Sequence, residues 1–233
     1  MKAVSIIGFK KSGKTNLALG LCSQLKQNGN SVTYLKFSSH GFDIKDSDTQ
    51  RLSQITDQVA GISPQGSFVS WPGKESVLDL LPLLNADFLI IEGGKELDFL
   101  PRIVIPDSLE SYQELSSELA IAAWCDHSNT DFYCTQDMTS LIAIIQEKGF
   151  ILPGLNCGAC NHGQCFDLAR AIINGASDIK DCVSLQTEFN IEINGNKIPL
   201  NPFVSSLISG ALKGILTNLK GYAPGNAKIE LEI

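Results

Sequence analysis

No uninterrupted apolar run in this chain approaches the ~20 residues that a membrane helix needs, and its opening residues enter strand-like sequence at once. A leader segment is not expected, which points to a soluble protein that stays in the cytoplasm. Positive charge is also short: 18 Lys and Arg against 25 Asp and Glu leave a net charge of −7 over 233 residues. That argues against a broad nucleic-acid surface, apart from a local basic patch at Lys10, Lys11 and Lys14. Internal repeats and low-complexity tracts are absent, as is a clear Asn-Lys-x-Asp motif for reading a guanine base. The hydrophobic content of 43% suffices for a sizeable core, and the length suggests one large unit plus a smaller one.

What is present is concentrated in two signatures. Gly8-Phe9-Lys10-Lys11-Ser12-Gly13-Lys14-Thr15 fits the phosphate-loop pattern G-x-x-x-x-G-K-[ST]. It lies between an apolar strand, Ala3 to Ile7, and a helix starting near Lys14, as a phosphate loop requires. Glycines let successive N–H groups turn inward, and the following helix points its positive end at the same place. Gly8, Lys11, Ser12, Gly13, Lys14 and Thr15 are therefore the candidate nucleotide residues. Lys14 reaches the outer phosphates, and Thr15 supplies a hydroxyl to Mg²⁺. The second oxygen ligand is expected from a carboxylate at a strand end, and Glu92 in Phe88-Leu89-Ile90-Ile91-Glu92-Gly93-Gly94 is the candidate. Against this stands a chance match of the motif, with Glu92 as a solvated strand-end charge.

The second signature is Cys157-x2-Cys160-x4-Cys165-x16-Cys182, four thiols within 26 residues. Disulfides are scarce in a reducing compartment, so all seven cysteines are read as reduced thiols or metal ligands. These four mark a metal or cluster site, with unmetallated thiols as the minor alternative. Cys22, Cys125 and Cys134 are scattered and read as core. His162 is either a further ligand or a solvated loop residue.

Between the phosphate loop and Glu92 lies a polar stretch, 36–51. It follows the strand next to the phosphate-loop strand, so it reaches the edge where a terminal phosphate and Mg²⁺ lie. His40, Asp43, Asp48 and Arg51 are candidates for positioning water, metal or a second ligand. The plainer alternative is a solvated loop with Asp48 capping the next helix. Asp126, after a strand ending near Cys125, is a candidate base or ribose contact.

Strands and helices alternate through the first half: 3–8, a helix over 15–27 carrying Leu17, Leu19, Leu21 and Leu25, then a strand over 31–37. A helix at 77–84, strands at 87–91, 103–105 and 119–124, and a helix at 139–147 follow. The fold class is therefore α/β, a mostly parallel sheet with helices on both faces. From 150 the rhythm breaks, and a helix near 166–174 interrupts the cysteines. The Asn194-Gly195 turn suggests a hairpin, followed by an apolar helix over 202–219 and a last strand over 227–233. The expected division is a P-loop domain over 1–149, a four-cysteine domain over 150–185 and a hairpin, helix and strand segment over 186–233.

Gly8 to Thr15, the stretch Lys36 to His40 with Phe42-Asp43, Asp48-Thr49-x-Arg51, Ala60-Gly61 and Ile91-Glu92-Gly93 together resemble the molybdopterin-guanine dinucleotide biosynthesis protein B (MobB) family. The resemblance covers about 1–148. It implies a P-loop NTPase fold and a GTP-binding, weakly hydrolysing protein that assists attachment of a nucleotide to molybdopterin. Such proteins are usually dimers working beside a nucleotidyltransferase. Carried onto this sequence, Lys14 and Thr15 are the phosphate and Mg²⁺ residues and Glu92 is the strand-end acid. His40, Asp43, Asp48 and Arg51 fall on the family's polar loop, and Lys14, Glu92 and Asp43 are the candidate hydrolytic residues. Lys10 and Lys11 depart from the family, which has small residues there, and a single His40 stands where a pair is common.

Leu152-Pro153-Gly154-Leu155-Asn156-Cys157-Gly158-Ala159-Cys160, with Gly163-x-Cys165, Ala169-x-Ala171-Ile172, Gly175 and Asp181-Cys182, looks like a different module. It resembles the iron–sulfur domain of Rnf-type electron-transport B subunits and of corrinoid iron–sulfur proteins. That implies a [4Fe–4S] cluster on Cys157, Cys160, Cys165 and Cys182, since soft thiolates suit the corners of a cubane. A structural four-cysteine zinc site is the alternative. The combined expectation is a GTP-dependent accessory protein of molybdenum or tungsten cofactor assembly. The other reading is a nucleotide-gated carrier of metal, cluster or electrons for an anaerobic molybdenum or tungsten oxidoreductase.

Overall fold

The computed structural model describes residues 1–38, 55–56, 59–71, 76–84, 86–116, 118–126, 132–186, 189–193, 196–225 and 227–229. In chain order the elements are β1 (Lys2–Gly8), α1 (Lys14–Gln27), β2 (Val32–Lys36), β3 (Val59–Ser63), β4 (Gly66–Ser70), α2 (Val77–Leu80), β5 (Phe88–Glu92), β6 (Arg102–Ile105), α3 (Leu109–Ser116), β7 (Ala120–Trp124), β8 (Cys134–Thr135), α4 (Met138–Lys148), α5 (Cys165–Ile173), β9 (Ile191–Ile193), β10 (Asn196–Ile198) and α6 (Pro202–Leu216). Short 3-10 turns lie at Leu81–Leu83, Ile179–Asp181 and Val183–Leu185.

Six strands form one sheet in the order β2-β5-β1-β6-β7-β8, and every pairing in it is parallel. Such a sheet needs cover on both faces, and the sequence reflects it. All five residues of β5 are buried, and the five interior residues of β1 likewise. One face packs Val4, Ile6 and Ile90 against Leu17, Leu21 and Leu25 of α1 and Leu141, Ile142 and Ile145 of α4. The other packs Ala3, Leu89 and Ile91 against Leu97, Phe99 and Leu100 and against Leu152, Cys165, Leu168 and Cys182. The four-cysteine segment is thus built onto a face of the sheet, with Leu152 N donating to Phe99 O at 3.0 Å.

The expected elements differ in several places. Leu19 is 65% exposed; two positions beyond Leu17 on a helix turning 100° per residue, it points away from the sheet. Residues 77–84 form a single helical turn and a 3-10 turn instead of one helix, because Pro82 lacks the N–H that would extend it. The hairpin β3–β4, the helix α3 and the short β8 were not expected. Residues 227–229 take no strand, and 230–233 lie outside the described residues. The β9–β10 pair is antiparallel as expected, and its Asn194-Gly195 turn lies outside the described residues. Cys125 and Cys134, expected as reduced thiols, are joined, with Cα atoms 5.6 Å apart. The pairing of Ala123 with Cys134 places them side by side.

Candidate functional site

In a parallel sheet the strands' C-terminal ends open on one edge. Here that edge carries the end of β1, Glu92 of β5 and Lys36 of β2. The strand–helix junction at Gly8–Thr15 is shaped by its small residues. A Cβ on Gly8 would collide with Ser12 Oγ and close on the Ile105 backbone, and Gly13 adopts φ 93°, a left-handed conformation that favours glycine. Lys11 adopts φ 68° beside it. Gly13 caps α1 without any side-chain hydrogen bond, and the first turn carries no acid. Among the described residues nothing caps its first N–H groups, and the helix presents its positive end to the recess.

Lys14 Nζ donates to Gly8 O at 2.9 Å and to Phe9 O at 2.6 Å, folded back on the loop it would share with phosphates. Burial pulls its ammonium below the usual lysine range; Glu92 opposes that shift, while Lys95 and Lys36 add to it. Among the described residues, Ser12 Oγ is buried without a hydrogen-bond partner. An orphaned hydroxyl, free helix N–H groups and a lysine in one loop fit an anion such as a phosphate.

Thr15 Oγ1 donates to Glu92 Oε1 at 2.9 Å, and Tyr34 OH donates to Glu92 Oε2 at 2.5 Å. Lys36 Nζ stands 3.6 Å from Oε1. Glu92 is only 6% exposed. Burial resists its ionisation, but the hydrogen bonds from Tyr34 and Thr15 and the Lys36 charge prevail and hold its carboxyl below the usual range. An ionised carboxylate beside a threonine hydroxyl is a donor set suited to Mg²⁺. Tyr34, whose hydroxyl is pushed up by burial and then by Glu92, was missed from the sequence; its position two residues before Lys36 on an edge strand gave no distinguishing sign. Lys10, Lys11, Lys14, Lys36 and Glu92 line one open recess. His40, Asp43, Asp48 and Arg51 lie outside the described residues, and Asp126 stands exposed at the end of β7.

The second site gathers all four predicted cysteines. Cys157, Cys160, Cys165 and Cys182 line a single recess walled by Pro153, Leu155, Leu168 and Val183. Left-handed turns at Gly154, Asn156, Gly158 and Gly163 wrap the chain around it. Asn156 holds the third of these cysteines: its N–H donates to Cys165 Sγ at 3.4 Å, and its Oδ1 accepts from Cys165 N at 2.9 Å. Cys157 Sγ lies 3.3 Å from Ser184 Oγ. Burial raises the Cys182 thiol, against the pull of backbone N–H groups of Leu185 and Ser184, and nearby Cys165 and Cys160 raise it further. Burial likewise raises Cys165. Among the described residues, no three of His, Cys, Asp and Glu converge on a point that would hold one metal ion. The four cysteines nonetheless share the wall of one recess. His162 Nε2 pairs with Ser177 Oγ at 2.9 Å.

Among the described residues no helix is long and apolar enough to cross a membrane. Residues 152–184 match a family model described as "Putative Fe-S cluster". The chain is 29% identical, over its whole length and 98% of the relative, to the "Putative molybdopterin-guanine dinucleotide biosynthesis adapter protein" of Methanocaldococcus jannaschii. In fold it is similar to the crystal structure of Bacillus subtilis MobB, with a TM-score of 0.51, 19% identity, and coverage of 63% of this chain and 98% of that one. Residues 3–126, more than half of the sequence, match the model of "Molybdopterin guanine dinucleotide synthesis protein B", and with the phosphate loop in place at the head of a parallel sheet, the chain belongs to the MobB family.

Proposed function

We propose that this protein is a GTP-binding adapter of molybdopterin-guanine dinucleotide biosynthesis that hydrolyses GTP weakly and carries a [4Fe–4S] cluster. The observation that carries the nucleotide half is the meeting of Thr15 with the ionised Glu92 next to Lys14. Lys14 would hold the outer phosphates, and Thr15 and Glu92 would hold Mg²⁺. The ion would supply charge neutralisation on the phosphate oxygens. Lys14 and Glu92, with Asp43 of the polar loop, are the residues we assign to hydrolysis; His40, Asp48 and Arg51 are assigned to ligand positioning.

The cluster half rests on the donor set. Four thiols around one recess, one of them, Cys165, receiving a backbone N–H bond, suit iron and sulfide. Zinc is the alternative ion for the same ligands. Partners follow from the adapter role: a second copy of this chain as a homodimer, and a molybdopterin nucleotidyltransferase.

A second reading is a nucleotide-gated carrier serving a molybdenum or tungsten oxidoreductase. It is favoured by the shared core in which Leu97, Phe99 and Leu100, just beyond Glu92, pack with Cys165 and Cys182. Anaerobic purification followed by metal, sulfide, nucleotide and pterin analysis of one sample tests both. Bound pterin supports the adapter. Iron and sulfide without pterin, together with electron transfer to an oxidoreductase, would favour the carrier.

A further inference from the structure

Lys36 stands opposite Glu92. The parallel pairing of β2 with β5 sets the two Cα positions in register, and Phe37 N donates to Glu92 O at 2.9 Å, fixing the strand end. The Lys36 ammonium lies 3.6 Å from Glu92 Oε1, with a side chain 41% exposed against 8% for Glu92. Glu92 Oε1 also accepts from Thr15, and Oε2 is occupied by Tyr34. The carboxylate is thus shared between two hydroxyls and one half-exposed ammonium. Lys36 also lines the same recess as Lys14, and its charge is felt at Lys14.

A divalent cation bound by Thr15 and Glu92 would take over the carboxylate charge and repel the ammonium next to it. Lys36 then loses its counterion while remaining on a four-carbon stem at the rim. The loop amides would cradle the inner phosphates of a nucleotide while Lys14 holds the outer ones, and the third phosphate would project toward the strand ends. In the recess that Lys36 shares with the phosphate loop, that phosphate would supply a compensating anion. We propose that Lys36 reads the terminal phosphate: it pairs with Glu92 when the site lacks triphosphate and moves to that phosphate when Mg²⁺ and GTP bind, so that it sets the preference for tri- over diphosphate. This rests on the nucleotide reading above.

The test compares affinities for GDP and for guanylyl imidodiphosphate, a slowly hydrolysed triphosphate, by calorimetry with Mg²⁺ in the full-length protein. Wild type should favour the triphosphate. Lys36→Met should weaken triphosphate binding by about tenfold or more, the loss of one charge-assisted hydrogen bond, and leave GDP binding within about twofold of wild type. Lys36→Arg should restore the preference. Equal losses for both nucleotides, or no loss for either, would overturn the assignment of Lys36. Wild-type protein that binds neither nucleotide would overturn the nucleotide reading and this inference with it, whereas wild type that binds both keeps the two failures apart.

Discussion

Thr15 and Glu92 lie 77 residues apart in sequence, yet the threonine hydroxyl donates to the glutamate carboxylate at 2.9 Å. The contact exists because β1 and β5 are adjacent parallel strands whose register pairs Ile6 with Glu92. It puts the start of α1 and the end of β5 at one corner, beside Lys14. Lys14→Ala removes the side-chain cation from a loop that otherwise relies on backbone N–H groups. Affinity for GTP with Mg²⁺ should fall by roughly 100-fold, with the thermal midpoint of the nucleotide-free protein little changed. Calorimetric titration checks the first and thermal denaturation the second. Undiminished affinity would remove this loop from the nucleotide site.

Glu92 also couples charge to stability. Its folded carboxyl is held below the usual glutamate range by Tyr34, Thr15 and Lys36 against the cost of burial. A depressed folded value means that the stabilisation is fully present above the unfolded value of about 4.3 and is lost as pH falls through the lower folded value. Glu92→Gln should therefore flatten the acid limb of the stability profile, measured as thermal midpoint against pH without nucleotide. It should also weaken the Mg²⁺ dependence of GTP binding more than GTP affinity itself. An acid limb identical to wild type would show that Glu92 is not the titrating group.

Arg102 is 4% exposed. Its guanidinium donates to the backbone carbonyls of Lys95, Leu97 and Leu115 at 2.6, 3.1 and 3.3 Å. These bonds pin the segment running from Glu92 to Phe99, which packs against the cysteines. Arg102→Met leaves buried acceptors without donors and should cost about 2–4 kcal/mol, read from urea denaturation. Lys should restore only part, because one ammonium lacks the planar fork that spans several acceptors.

Much of the phosphate-loop site was legible because it rests on local rules. Glycine spacing, an apolar strand before it and an amphipathic helix after it fix Gly8 to Thr15 without help from distant residues. Glu92 was legible as the first polar residue after four apolar ones. Tyr34 was not, since its role comes from lying beside β5 in the sheet. The β3–β4 hairpin was missed for a different reason: both strands are largely exposed, so no alternation of apolar and polar residues marks them. The α3 helix did carry a sign, Ser108 three residues before Ser111, whose N–H its hydroxyl accepts, but no acid or amide side chain completes the capping box there. The four cysteines were legible by spacing, yet nothing local announced that two of them would enter the core beneath the sheet.

That shared core yields its own prediction. Leu168 of α5 is 1% exposed and packs in the cluster that includes Leu89 and Ile91. Leu168→Ala should cost about 2–5 kcal/mol. If sheet and cysteine segment unfold as one unit, the far-ultraviolet signal and the cluster absorption should fall together at a lower urea midpoint. Two separated transitions in the wild type would show that the segment unfolds independently of the sheet.

The last prediction follows from ligand counting. If Cys157, Cys160, Cys165 and Cys182 hold a cubane, protein prepared without air should be brown, with about four iron and four sulfide per chain, and should bleach on reduction. Cys182 is 6% exposed and sits at the end of a 3-10 turn, where its carbonyl accepts from Leu185 N at 3.0 Å. Cys182→Ser keeps nearly the same size but replaces a soft sulfur with a hard oxygen. The cluster should then become labile or fall to a three-iron form, seen in iron content and electron paramagnetic resonance. GTP binding should remain near wild type, because Lys14, Thr15 and Glu92 share no ligand with that corner. One zinc per chain, with no visible absorption in protein never exposed to air, would instead assign the four thiols to a structural zinc ion.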